Sequence, residues 1–217
     1  MIITHCGKFG DFIPSLVIPN YYYKNNNEKT TFILSSWFKS IKGLEEFLML
    51  QDFTEKVIFD EFLPNDFSLG AQPYKFKPKV ITDEVYYNLG LSGFPNKYLG
   101  VMYAEEYDLK YDLDIKLNFI DENFPEEYRG KKMYTHFYDE RWDKDRYDVR
   151  FIELLPNDGY EPFDPDKSLL HNLNLSYYSS SSIYYPNGFS VLSDLCGINY
   201  DLVNGSVNPS VYYLNHL

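Results

Sequence analysis

The N-terminal segment brings together residue types that bind or activate a ligand. Gly7 and Gly10 bracket a short stretch that ends in Asp11. Glycines let a backbone turn tightly against a ligand, and a carboxylate in such a turn can accept a proton from a hydroxyl group. Asp11 could instead be an ordinary helix N-cap, a position that aspartate favours. A phosphate cradle at Gly7 and Gly10 is less favoured, because Asp11 would repel the anion and no Gly-Lys-Ser/Thr ending follows.

A second cluster of reactive side chains lies in the window 129–150. This window contains all four arginines of the chain and, in total, seven Lys or Arg against five Asp or Glu. Guanidinium groups bind phosphate oxygens through paired hydrogen bonds. Arg141 and Lys144 lie in the loop predicted after a strand, where a diphosphate could bind. The alternative is a solvated loop whose opposite charges pair with one another.

The remaining motifs give little support for a metal centre. Asp112-Leu-Asp114 and Asp164-Pro-Asp166 each place two carboxylates one residue apart, a spacing that can chelate Mg²⁺ or Mn²⁺. In a chain with 32 acidic residues such pairs arise by chance, which favours a surface role. The four histidines are scattered without ligand spacing, and His136 is of interest only because it is close to the arginines. We expect no metal and no other cofactor.

Composition limits the classes of function. The 217 residues are 44% hydrophobic and 19% aromatic, which indicates a folded domain rather than disorder. A net charge of −12 disfavours generic binding to nucleic acid or to an anionic membrane. Cys6 and Cys196 are too few for a disulfide framework, so a reducing, cytoplasmic location is expected. No apolar run is long enough to predict a transmembrane helix.

The candidate residues of the first half must be positioned by a βαβαβ unit. Apolar runs predict strands at Ile2-Ile3, 31–35 and 57–59. The spacing of apolar residues predicts a helix that begins at Asp11 and bends or ends near Pro19, and a second helix over 43–51. Helical crossovers make such a sheet parallel, and ligands of open α/β sheets bind at the carboxyl ends of the strands. Asp11 follows the first strand at that edge.

The second half repeats the alternation of strands and helices. Strands are predicted at 132–137, 149–155, 182–185 and 200–203, and helices at 168–178 and 188–196. Residues 98–104 are interpreted as a strand or an irregular apolar segment. The acidic stretch that follows predicts a boundary between an N-terminal lobe, 1–126, and a shorter C-terminal lobe, 127–217. The predicted fold class is therefore α/β, with two Rossmann-like lobes whose parallel sheets are flanked by helices.

These elements resemble GT-B glycosyltransferases of the ADP-heptose heptosyltransferase family. The resemblance rests on the Gly10-Asp11 turn, the helix with Pro14 and Pro19, the segment 43–51, and the strand-turn-helix that begins at Tyr184-Tyr-Pro-Asn-Gly188. In that family an aspartate after the first glycine turn is implicated as the base, and a small-residue turn in the second domain helps to bind the nucleotide sugar. This chain has Asn187-Gly-Phe-Ser190 where the family has Ser-Gly-x-x-His, and its second lobe is abbreviated.

The resemblance implies an enzyme that moves a sugar from a nucleotide-sugar donor to a hydroxyl-bearing acceptor without a metal. Asp11 would be the catalytic base. The donor would be bound by residues of the N-terminal segment, of the window 129–150 and of the turn before the predicted helix 188–196. These residues are Gly7, Gly10, Arg141, Lys144, Asn187, Gly188 and Phe189. The alternative is a non-catalytic protein that keeps a shortened fold of this kind and binds glycans or proteins.

Overall fold

The apolar runs of the first half form a parallel sheet in the computed structural model of the protein. The structure describes residues 1–5, 8–61, 86–89, 96–135, 155–203 and 209–214. The two central strands, Ile2–His5 and Thr30–Ser35, are almost continuously buried, as expected in a parallel sheet. The sheet has the order β3-β2-β1-β4, with all pairs parallel. Its strands are β1 (Ile2–His5), β2 (Thr30–Ser35), β3 (Thr54–Asp60) and β4 (Tyr87–Asn88).

The helical segment between β1 and β2 differs from the prediction at its beginning and at its interruption. It begins at Phe9 rather than Asp11, with helix α1 (Phe9–Phe12), and continues through a 3₁₀ turn (Ile13–Leu16) into helix α2 (Val17–Asn26). The interruption occurs at the 3₁₀ turn that contains Pro14 and not at Pro19, which is tolerated in the first turn of α2. Asn27, with φ of 56°, ends α2 in the left-handed conformation.

Residues 98–104, interpreted above as a strand or an irregular segment, belong to a helix. Helix α4 (Leu99–Glu106) follows helix α3 (Leu44–Met49) in chain order. A Cβ atom on Gly100 would lie 2.3 Å from the backbone oxygen of Pro14. This glycine is therefore a site of close helix packing, and the interpretation of this segment as a strand or an irregular segment was wrong.

The second half forms another parallel sheet with the order β6-β5-β7-β8. Residues 149–154 of one predicted strand lie outside the described part of the chain, and Leu155–Asp158 form a 3₁₀ turn. The strands are β5 (Lys132–Tyr134), β6 (Tyr160–Pro162), β7 (Ser181–Tyr184) and β8 (Asp201–Leu202). The helices are α5 (Leu169–Tyr177), α6 (Gly188–Leu195) and α7 (Pro209–Tyr212). The predicted α/β class with two parallel sheets is confirmed.

A shared apolar core joins the two halves. One cluster of buried side chains extends from Ile3 and Phe12 in the first half to Leu192 in α6 and Tyr213 after α7. The two sheets lie on opposite sides of the boundary proposed at 126/127, but α6 and the C-terminal segment pack against the first half. Among the helices of the described residues, none has the length and apolar character needed to cross a membrane.

Candidate active site

The two halves touch through a pair of glycines at the starts of α1 and α6. A Cβ atom built on Gly10 would lie 3.4 Å from the Cα atom of Gly188, and one built on Gly188 would lie 3.0 Å from the backbone nitrogen of Gly10 and 2.6 Å from Cδ1 of Phe9. Helix α1 follows the carboxyl end of β1, and α6 follows the carboxyl end of β7. The carboxyl edges of both sheets therefore meet here, where α/β folds bind ligands.

Asp11 stands at this junction, but it is not the N-cap residue. Lys8 occupies the N-cap position of α1, and its backbone oxygen accepts hydrogen bonds from the nitrogens of Asp11 (3.0 Å) and Phe12 (3.1 Å). The Asp11 carboxylate accepts a hydrogen bond from the backbone of Lys8. This is the bond that an acidic residue at N3 makes in a capping box. The N-cap interpretation is thus wrong in position, although Asp11 does help to satisfy the helix start.

The Asp11 carboxyl group is buried and unusually basic. Its residue is 7% exposed, and burial raises its pKa because a charged carboxylate is disfavoured away from water. The hydrogen bond from the Lys8 backbone, the Lys8 charge and a hydrogen bond with Tyr212 each oppose this rise in pKa without cancelling it. A carboxylate whose pKa is raised accepts a proton more readily than an ordinary exposed one.

Two tyrosines from distant parts of the chain hold Asp11 in place. The Tyr212 side chain in α7 bonds to the Asp11 carboxylate, and burial together with this nearby negative charge raises the pKa of Tyr212. The Tyr103 hydroxyl in α4 donates to the backbone oxygen of Asp11 at 3.1 Å. Asp11 is therefore positioned by α1, α4 and α7 together. The carboxylate is held by the Tyr212 side chain and the Lys8 backbone rather than left free to rotate toward solvent.

The residues proposed to border the donor have clear structural contacts. The Asn187 Oδ1 atom accepts from the nitrogen of Ser190 at 2.9 Å, and the Ser190 Oγ atom accepts from the nitrogen of Asn187 at 2.8 Å. This pair is a capping box that starts α6. The Phe189 ring packs on Phe163 (5.2 Å) and Tyr184 (5.7 Å). Phe189 therefore faces apolar rings of the second half, while Gly188 faces α1.

The described basic residues of the window 129–150 are paired with acidic or aromatic neighbours. Arg129 lies 4.1 Å from the centre of the Tyr178 ring and 3.2 Å from Glu126. Lys131 bonds Glu161 at 2.7 Å. Gly7, His136, Arg141 and Lys144 lie outside the described residues. The described residues of this window therefore make the contacts of a solvated surface with paired charges.

The two Asp-x-Asp pairs each have a lysine neighbour. Lys24 bonds Asp112 at 2.8 Å and lowers its pKa, and Lys42 lies 3.3 Å from Asp166. In the described part of the chain no group of three His, Cys, Asp or Glu side chains is arranged to hold a metal ion. Asp112 and Asp166 therefore have lysine partners on the protein surface.

Sequence reasoning missed two side chains of this site. Lys8 is exposed beside Asp11 and acts on its charge, and its place between Gly7 and Gly10 was the signal that could have revealed it. Tyr212 is brought to Asp11 from the other end of the chain. Nothing in the local sequence around Tyr212 marks it, because only the tertiary fold creates that contact.

Comparisons with known proteins find similarity in structure alone. No protein-family model and no curated protein sequence matches the chain. The fold is similar to that of a glycosyl transferase family 9 protein from Veillonella parvula, with a TM-score of 0.64 and 10% identity over 99% of this chain and 83% of that one. It is also similar to the iron-containing dodecameric glycosyltransferase TibC from enterotoxigenic E. coli, with a TM-score of 0.60 and 14% identity over 98% of this chain. The chain spans only 60% of the length of TibC. The overall fold is thus the one found in these two glycosyltransferases, as the sequence resemblance predicted.

Proposed function

We propose that this protein is a glycosyltransferase that moves a sugar from a nucleotide-sugar donor to a hydroxyl acceptor, with Asp11 as the general base. One observation carries the proposal. A buried carboxyl group of raised pKa lies where the carboxyl edges of two parallel sheets meet, in a fold shared with two glycosyltransferases. A location in the cytoplasm is part of the proposal and rests on the low cysteine content.

The proposed step uses Asp11 to activate the acceptor. Asp11 takes the proton of the acceptor hydroxyl while the hydroxyl oxygen forms a bond to the anomeric carbon of the donor sugar. The bond between that carbon and the diphosphate oxygen breaks, and the nucleoside diphosphate leaves with the electron pair. The contacts from the Lys8 backbone and Tyr212 fix the orientation of the carboxylate, which lowers the entropic cost of reaching the reactive geometry.

The negative charge that develops on the leaving diphosphate needs a positive environment. Lys8 is exposed next to Asp11 and supplies one cation. The start of α6 adds backbone N–H groups with a favourable dipole. Arg141 and Lys144 are the further cations that we propose for this role, since guanidinium groups match phosphate oxygens. In this mechanism no metal ion is required.

A second candidate function is a non-catalytic protein that binds glycans or proteins. It is favoured by the packing of Gly188 against Phe9 and by the use of the Asn187 amide in a helix cap, because both residues then have structural roles. The two candidates differ in whether nucleotides bind. The transferase needs a nucleotide site, whereas the binding protein does not.

A thermal-shift screen with nucleoside diphosphates and their sugar conjugates separates the two functions. A ligand at 100 times its Kd stabilises the folded state by about 2.7 kcal/mol. For a chain of this length that corresponds to a rise in Tm of roughly 5 to 10 °C. A shift with one nucleotide family and its sugar conjugate supports the transferase. The absence of a shift with every nucleotide supports the binding protein.

A further inference from the structure

A polar pocket of about 400 Å³ opens on the second sheet, far from Asp11. It lies at the amino ends of β7 and β8, between the end of α5 and the connection from α6 to β8. Gly188 and the candidate active site are at the carboxyl end of β7. The four residues of β7 separate the two edges by about 13 Å, so the pocket is distinct from the active site.

One wall of the pocket consists of serine hydroxyl groups. Ser176 and the run 179–182 line it. The Ser182 Oγ atom lies 2.8 Å from that of Ser179 and 3.2 Å from that of Ser176, and Ser181 bonds the Tyr160 hydroxyl at 2.9 Å. Each hydroxyl has one donor and two acceptor positions. Ser176 and Ser182 are only 2% exposed and anchor this wall from behind. The hydroxyl groups that a ligand can reach are those of Ser179, Ser180 and Ser181.

The opposite side adds an amide, a carboxylate and two rings. Asn199 and Asp201 are exposed at the rim. Tyr177 is 45% exposed and packs on Phe119, whose ring centre lies 5.6 Å away. Tyr200 is half-buried, and its hydroxyl donates to Asp194 at 2.8 Å, which holds the ring against the core. The Tyr200 ring also packs on Tyr184, whose ring centre lies 4.8 Å away. Tyr177 is therefore the ring that is exposed next to the hydrogen-bonding groups of the pocket.

This combination selects a class of ligand. None of the described residues that line the pocket is Lys, Arg or His, and the Asp201 carboxylate would repel a phosphate. A lipid chain or an apolar peptide is disfavoured, because covering the exposed Asn199 and Asp201 side chains would leave their polar atoms without hydrogen bonds. A neutral sugar has hydroxyl groups for Ser, Asn and Asp, and its C–H face can pack on tyrosine. The volume lies within the range of small-molecule sites, roughly 300 to 1,000 Å³.

We propose that this pocket is a second, non-catalytic binding site for a neutral mono- or disaccharide. Asn199 and Asp201 bind the sugar hydroxyl groups at the rim, Ser179, Ser180 and Ser181 bind those that enter, and Tyr177 packs against the sugar ring. The proposal goes beyond glycosyl transfer and does not depend on it. The site would operate equally in a transferase and in a non-catalytic protein.

Isothermal titration calorimetry tests the site with glucose, galactose, mannose, N-acetylglucosamine, maltose and cellobiose. Four proteins are compared: wild type, Asp201→Ala, Asp11→Asn and Asp52→Ala. Asp52 is a matched control, because it is also an exposed aspartate but does not line the pocket. Unfolding curves of the four proteins show whether Asp201→Ala is folded, and Asn199→Ala is the second pocket variant if it is not. Inorganic phosphate serves as the competing class of ligand.

We expect at least one sugar to bind wild type with a Kd in the millimolar range. Loss of the Asp201 carboxylate should weaken this binding by roughly tenfold or more, as for hydrogen bonds to charged groups, whereas Asp11→Asn and Asp52→Ala should bind as wild type does. The proposal is overturned if no sugar binds wild type, or if sugar binding survives in both Asp201→Ala and Asn199→Ala. It is also overturned if sugar binding disappears in Asp11→Asn, or if wild type binds phosphate and Asp201→Ala does not. If the sugar site is refuted, the proposed nucleotide site at the carboxyl edges of the two sheets is not affected.

Discussion

The contact between Gly10 and Gly188 predicts that alanine has opposite effects at the two positions. A Cβ atom at Gly188 would lie 2.6 Å from Cδ1 and 3.2 Å from Cβ of Phe9, and 3.0 Å from the backbone nitrogen of Gly10. Both the ring and the backbone would have to move. A Cβ atom at Gly10 would meet Gly188 at an ordinary contact distance of 3.4 Å. Neither glycine has a positive φ, so packing alone distinguishes them.

The magnitudes follow from this packing. Overpacking costs about 1 to 3 kcal/mol, and replacing glycine by alanine returns about 0.4 to 1 kcal/mol by restricting the unfolded chain. At the midpoints of these two ranges, Gly188→Ala should lose about 1.3 kcal/mol of the free energy of unfolding, or roughly 3 to 5 °C in Tm. Gly10→Ala should be neutral or slightly stabilising. Thermal and urea unfolding of both variants measure the difference, and equal stabilities, or a greater loss at Gly10, would refute the proposed junction.

Three further predictions concern the chemistry of the proposed transferase. Tyr212→Phe removes a bond that lowers the Asp11 pKa, so the acidic limb of the pH–rate profile should move to higher pH; an unchanged limb would show that Tyr212 does not act on Asp11. Transfer should persist in excess EDTA, because the leaving diphosphate is neutralised by side chains and helix N–H groups; activity restored only by Mn²⁺ would contradict this mechanism. Arg141→Ala should weaken nucleoside diphosphate binding by about 1.5 to 3 kcal/mol in calorimetry, whereas equal affinity in wild type and variant would assign Arg141 to a solvated loop.

Most of the fold could be predicted because the strands contain short apolar runs, such as Phe32-Ile-Leu34 and Val57-Ile-Phe59 in the first sheet. Thr30–Ser35 and Thr54–Asp60 are preceded by helical segments, and this alternation determines a parallel sheet. The second half follows the same pattern. The errors occurred where tertiary packing overrides local signals. The segment 98–104 was interpreted as a strand or an irregular segment but belongs to α4, where Gly100 lies against the Pro14 carbonyl. Helix α1 begins at Phe9, before the residue that resembled a cap.

The candidate site could be predicted only in part. Asp11 was recognisable because it follows a strand and two glycines in the sequence. Its burial, its raised pKa and its bond with Tyr212 depend on a segment some 200 residues away, which no local pattern reveals. The role of Gly188 in packing against Phe9 was likewise invisible, because a glycine at a helix start is equally typical of a ligand-binding turn.

The pH dependence of stability provides the control for the central experiment. Because burial raises the Asp11 pKa, the folded protein keeps this proton to a higher pH than the unfolded chain does. The contribution of Asp11 to stability is therefore present below the unfolded pKa and is lost as the pH rises through the folded pKa. Asparagine has no such dependence and can still accept the Lys8 hydrogen bond. At neutral pH, Asp11→Asn should be as stable as wild type or more stable.

The most direct test of the account is the rate of nucleoside diphosphate release from a nucleotide sugar by wild type and Asp11→Asn, measured across pH with an acceptor present. A general base contributes about 10²- to 10⁴-fold. We predict that wild-type activity rises with pH along an acidic limb above the usual range of an aspartate pKa, and that Asp11→Asn loses about 100-fold or more while remaining folded. Activity retained within a few fold, or lost only together with the fold, would contradict the assignment of Asp11 as the base.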